Sequence, residues 1–234
     1  MTHSDQLALD KKNIDTILVL DFGSQYTQLI ARRIRELDVF SVILPWDISK
    51  ERIAALSPAG IILSGGPESV TNHHTPRIPE IIFDLEIPIL GICYGMQTLA
   101  EQFGGQVTAS KTKEFGHTSI TIEAANTLFD GFDTGSSIDV WMSHGDHVSS
   151  LPDQFHLIAS TPSAPIAAMA HKEKPIYALQ FHPEVTHTKE GNVVLENFVF
   201  RICNCQAQWK MHNLIEQRVL DIKKRVGDSK VLLG

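Results

Sequence analysis

Through its first half the chain alternates short, unbroken apolar runs with amphipathic stretches. Ile17-Leu18-Val19-Leu20 is apolar at every position, the pattern of a strand buried on both faces. The residues after it repeat at helical spacing, with Tyr26, Leu29, Ile30, Ile34 and Leu37 on one stripe and Ser24 placed to cap the helix. Phe40 to Leu44 predicts a second strand, and Ser49 a cap for a short helix reaching Leu56. Gly60 to Leu63 reads as a third strand and Ile87 to Gly91 as a fourth. A helix with Met96, Leu99, Ala100 and Phe103 inward follows, stopped by Gly104-Gly105. Such alternation predicts an α/β fold: a mostly parallel, doubly wound sheet with helices on both faces. Ligands of such sheets sit beyond the carboxyl ends of the strands. Two glycine-rich turns, Ser64-Gly65-Gly66-Pro67 and Gly91-Ile92-Cys93-Tyr94-Gly95, fall there and are placed to share one site.

From about Gln106 to Phe181 short strands and turns dominate. His117 to Ile122 and Ile138 to Met142 alternate, and Ile176 to Phe181 runs into His182-Pro183-Glu184. Trp141 to His147 reads as a polar, glycine-bearing turn after an apolar strand, and 191 to 202 as a closing helix. The last stretch stands apart. Residues 209 to 226 predict a charged amphipathic helix with Ile215, Val219, Ile222 and Val226 on one side, and Lys230 to Gly234 the start of another buried strand. The expected organisation is a polar extension at 1–14, a globular domain at 15–207, and at 208–234 a helix that opens a further, truncated domain.

The composition belongs to a soluble globular chain: 234 residues, 43% hydrophobic and 20% charged. A net charge of -7 argues against nucleic acid or an anionic membrane as partner. No apolar run is long enough to span a bilayer, and Met1 to Thr16 lacks the plan of a secretory signal. Three cysteines cannot build a disulfide framework, so a cytoplasmic location is expected.

Gly91-Ile92-Cys93-Tyr94-Gly95 has the form of a strand-to-helix nucleophile elbow with cysteine at its centre. A cysteine there sits at a helix N-terminus, where the dipole favours thiolate. The competing reading is a small buried hydrophobe. Glycine N–H groups of the Ser64 to Pro67 turn, with the N–H of Tyr94, are suited to hold an oxyanion, though an ordinary glycine turn would look the same. His182 and Glu184 stand two apart after a strand, so they point the same way, and the acid can orient the base. No metal site is expected: His144, His147 and His187 lack ligand spacing, Cys203-Asn204-Cys205 is too close for a zinc knuckle, and His73-His74 reads as a solvated loop.

Together, Gly-Ile-Cys93-Tyr-Gly-Met-Gln97 and His182-Pro-Glu184 resemble the class I glutamine amidotransferases. Asp21-Phe22-Gly23-Ser24-Gln25-Tyr26, Trp141 to Asp146, Gln180 to His187 and the segment from Asn197 to Trp209 narrow the resemblance. They match the branch whose synthetase half aminates xanthosine monophosphate (XMP) with ATP and Mg2+. The resemblance implies that Cys93 attacks the side-chain amide of glutamine, that His182 carries protons and that Glu184 orients it. It implies an oxyanion hole from Gly66 and Tyr94, and glutamine contacts from Gln97, Ser143, Gly145 and Asp146. Neither cofactor nor metal is expected in this chain; ATP and Mg2+ belong to the synthetase half, as does a homodimer contact. Alternatives are a stand-alone cysteine hydrolase of γ-glutamyl substrates, the amidotransferase subunit of another synthase, and a binding module in which Cys93 is structural.

Overall fold

The computed structural model describes residues 14–72 and 74–209, together with 219, 222–227 and 229. One nine-stranded sheet organises them, in the order β2-β1-β3-β4-β9-β8-β7-β5-β6. Its first part is parallel: β1 (Thr16–Asp21), β2 (Phe40–Pro45), β3 (Gly60–Leu63), β4 (Ile89–Ile92) and β9 (Ile176–Leu179). From β9 outward, β8 (Ala168–His171), β7 (Phe155–Ser160), β5 (Gln106–Ile122) and β6 (Ser137–Ser150) pair antiparallel. The chain is therefore α/β, as its periodicity predicts, with an antiparallel extension on one edge.

The uniform apolarity of β1 has a direct cause. Ile17 and Val19 join the core on one face of the sheet, Leu18 and Leu20 the core on the other, and all four are buried. On the first face lie α1 (Thr27–Glu36) and the closing segment; on the second lie α2 (Lys50–Leu56) and α3 (Tyr94–Gln102). Truncating a residue such as Ile62, fully buried in β3, to alanine costs about 2–5 kcal/mol.

Several local expectations change. Ser24 does not cap α1, which starts at Thr27; its hydroxyl accepts from the Tyr26 N–H at 3.0 Å and shapes the turn before the helix. The inward stripe of α1 is Thr27, Ile30, Ala31 and Ile34, because Asp21 draws Thr27 inward through a 2.8 Å hydrogen bond. Trp141 to His147 is not a turn. It continues β6, because β5 supplies a ladder partner along it, from His117 opposite Trp141 to Thr108 opposite His147. The closing helix is α4 (Gly191–Glu196) followed by a π-helical stretch, Asn197–Ile202. There the Asn197 side chain donates to the carbonyls of Leu128 and Asp130, and Phe198 and Val199 are both buried.

Residues 1–13, His73, most of the predicted 209–226 helix and the strand predicted at 230–234 lie outside the described residues. Residues 222–226 are helical, and Val219 and Ile222 are exposed. Cys203 and Cys205 are buried, with Cys203 against Gly60 of β3, so packing accounts for the pair. Burial pushes both thiols up, Cys205 to about 12.

Candidate active site

The turn from β4 into α3 forces its central residue into an unusual backbone. Cys93 has φ +53° and ψ -105°, a conformation that L side chains rarely adopt. Its N–H donates to Leu179 O at 2.7 Å, tying the turn to the end of β9. The elbow closes only because Gly95 lacks a side chain: a Cβ there would lie 2.5 Å from the Leu63 carbonyl oxygen. Gly66 is constrained in the same way, since a Cβ would come 2.7 Å from Phe22 O. Ser64, fully buried, holds this loop by accepting from Phe22 N–H and donating to Gly65 O.

His182 stands just beyond the end of β9. Its Nδ1 lies 2.7 Å from Glu184 Oε1, and both side chains are almost wholly buried. Nε2 is thereby left free of Glu184, and Cys93 lies near enough to favour charge on the ring. Burial opposes charge on the ring, but the Glu184 carboxylate and Cys93 outweigh it and hold the imidazole well above its ordinary value. Three contacts brace the pair. Arg33 of α1 donates to Glu184 O at 2.9 Å, Thr188 Oγ1 donates to His182 O at 2.7 Å, and the Tyr26 ring meets His182 edge-on at 5.0 Å.

A cavity of about 580 Å³ opens over these groups. Of the nine residues singled out in the sequence, Gly66, Cys93, Gln97, Ser143, Gly145, Asp146 and His182 line it. Glu184 sits behind His182. Tyr94 does not line it, and its hydroxyl donates to Pro76 O at 2.7 Å. Among the described residues no backbone carbonyl accepts from Tyr94 N–H or Gly66 N–H. From the antiparallel side, β6 contributes backbone: Ser143 O accepts from Cys93 Sγ at 3.6 Å, and Asp146 O from Gln97 Nε2 at 2.7 Å.

Composition and motif reading missed other groups at the site. His144 is buried with Nε2 3.0 Å from Glu114, and burial holds its ring below the usual value despite that carboxylate. Arg33 and Thr188 carry no local signal, since their partners are distant in sequence or are backbone atoms. Gln180 did have one: it lies two residues before His182, where extended chain returns to the same side. Among the described residues no group of three His, Cys, Asp or Glu side chains is arranged to hold a metal.

The family model described as Glutamine amidotransferase class-I matches residues 18–202. The chain is 53% identical over 231 residues to the GMP synthase [glutamine-hydrolyzing] of Hamiltonella defensa, covering 95% of this chain and 44% of that protein. It is 53% identical over 224 residues to the protein of the same name from Pseudomonas aeruginosa, covering 93% and 43%. It thus spans less than half the length of these curated relatives. A solved structure from Thermoplasma acidophilum, provisionally described as a GMP synthase subunit, superposes with a TM-score of 0.72 at 35% identity, covering 88% of this chain and 98% of that one. A Thermotoga maritima glutamine amidotransferase shares the fold, with a TM-score of 0.59 at 20% identity over 90% and 95%.

Proposed function

Since the chain belongs to the class-I glutamine amidotransferase family, we propose that it is the glutamine-hydrolysing part of a GMP synthase. The observation that carries this reading is the meeting, at one cavity, of Cys93 in its left-handed turn with the buried His182–Glu184 pair. The likeness to GMP synthases along 93–95% of the chain selects the parent reaction.

In this reading, Cys93 thiolate attacks the side-chain amide carbon of glutamine. The carbonyl electrons move to an oxyanion held by the N–H groups of Gly66 and Tyr94. His182, charged and steadied by Glu184, gives its proton to the leaving nitrogen as ammonia departs. A γ-glutamyl thioester remains on Cys93. Water then attacks that carbonyl, His182 takes its proton, and glutamate leaves with the thiolate restored. Gln97, Ser143, Gly145 and Asp146 hold the amino-acid end of glutamine. The ammonia goes to a synthetase part that consumes ATP, with Mg2+, and XMP; a homodimer contact belongs to that part. A cytoplasmic setting, which suits three free thiols, completes the reading.

The test combines this chain with a separately produced synthetase part, XMP, ATP and Mg2+. GMP should form from glutamine only when this chain is present with Cys93 intact, and from ammonium without it. Glutamate release that ignores the synthetase part, with no GMP formed from glutamine, would favour an independent hydrolase.

A further inference from the structure

Gln180 is fully buried one residue beyond β9, although nothing in the chemistry above uses it. Its backbone is fixed on both sides. Its own N–H donates to Ala167 O at 2.8 Å, and the preceding carbonyl, that of Leu179, accepts the Cys93 N–H at 2.7 Å. The side chain reaches the nucleophile: Nε2 lies 3.8 Å from Cys93 Sγ, while Oε1 accepts from Gln97 Nε2 at 3.5 Å. An apolar residue would fill this space without the desolvation cost of a carboxamide. What distinguishes glutamine here is an N–H toward sulfur and an oxygen toward Gln97.

The surroundings of the sulfur give that N–H a purpose. As a thiol, Cys93 donates to Ser143 O at 3.6 Å. Once deprotonated it faces that carbonyl acceptor to acceptor, and the contact opposes the anion. The donors near the sulfur are then His182 and the Gln180 amide. At the other end, both hydrogens of the Gln97 amide are engaged, by Asp146 O and Gln180 Oε1, which leaves its carbonyl oxygen for a ligand in the cavity. We propose that Gln180 is a positioning residue that donates to the Cys93 thiolate and sets the orientation of the Gln97 amide, coupling the nucleophile to the substrate wall. Its bearing on glutamine rests on the reading above.

The experiment uses iodoacetamide, which reports the thiolate without requiring glutamine turnover. Cys93 lines the cavity, whereas Cys203 and Cys205 do not and their thiols are raised by burial, so alkylation in the folded chain reads Cys93. Gln180→Met keeps size and loses both polar contacts. Alkylation at neutral pH should slow about tenfold, its pH profile should move alkaline, and glutamine kcat should fall by a similar factor. Gln180→Glu keeps an acceptor for Gln97 but turns an anion toward sulfur, so alkylation should slow further than in the methionine variant. Melting curves establish that each variant is folded. A folded Gln180→Met chain with the parent's alkylation profile, or a glutamate variant as reactive as the parent, overturns the assignment. If alkylation responds as expected but the parent releases no glutamate from glutamine, the assignment stands and the glutaminase reading falls.

Discussion

In the parallel half of the sheet, the groups facing the cavity come from strand ends and a helix start: Gly66 after β3, Cys93 between β4 and α3, and His182, with Glu184 behind it, after β9. In the antiparallel half they come from within two paired strands, β6 with Ala109 and Phe115 of β5, and the contacts of β6 with Cys93 and Gln97 run through main-chain carbonyls. The first arrangement exposes reactive atoms in strained, glycine-dependent turns. The second builds a wall whose spacing is set by a ladder. The function proposed above puts bond making and breaking in the parallel half and, Gln97 apart, substrate holding in the antiparallel half, so the two should separate in kcat and KM.

The largest effect belongs to Cys93→Ala. Glutamate release should fall by about 10⁴-fold or more, because no other group replaces the nucleophile. Melting should be little changed. An active alanine variant would remove the chemistry from the parallel half altogether.

His182→Ala should cost about 10³-fold in kcat, and Glu184→Gln about 10²-fold, since glutamine can still hold the ring but without its charge. A reversed order would exchange the roles of base and orienter. The pair also makes a pH prediction. The folded state raises the His182 value above its unfolded one. Its contribution to stability is therefore complete below the ordinary histidine value and is lost as pH rises through the raised one. Glu184→Gln removes the carboxylate that raises it. Denaturant melts from mildly acidic to alkaline pH should show the gap between parent and variant narrowing as pH increases.

Gly95→Ala tests the elbow as a packed object. The added Cβ meets Leu63 O at 2.5 Å and Leu63 Cβ at 2.8 Å, both on the rigid strand β3. Relief requires α3 to move, at about 1–3 kcal/mol. The melting midpoint should drop and iodoacetamide alkylation of Cys93 should slow together; a stable variant with normal alkylation would mean that the turn has slack.

The same contrast explains what the sequence made readable. Parallel strands buried on both faces announce themselves as apolar runs, and Gly60 to Leu63 was read with its observed bounds. The elbow was legible because a tight turn demands glycine. The His182–Glu184 pair was read from strand alternation, but it lies beyond β9, and the turn at 183–184 brings the acid to the ring. The length of β6 was not, because Trp141 to His147 is polar and holds a glycine, and only its partner β5 makes it a strand. Ser24 looked like a cap because serine suits both a cap and the turn preceding one. Arg33 against Glu184, 151 residues apart, has no local signature.

Asp146→Asn is the smallest effect and the sharpest test of the division. Its main-chain carbonyl binds the Gln97 amide and survives the substitution. What changes is charge. Glutamine carries an α-ammonium group, and among the described residues lining the cavity the carboxylates belong to Glu68 and Asp146, with no lysine or arginine beside them. Asp146 is partly exposed, so its attraction for an ammonium is screened and amounts to roughly 1 kcal/mol. That is about a fivefold rise in KM. The attraction is the same for bound glutamine and for the tetrahedral intermediate, because the α-ammonium lies away from the bond that breaks. Uniform binding of this kind leaves kcat within about twofold of the parent. Steady-state glutaminase kinetics over a wide glutamine range would read both constants. A fall in kcat with KM unchanged would put β6 into the chemistry and end the division between the two halves.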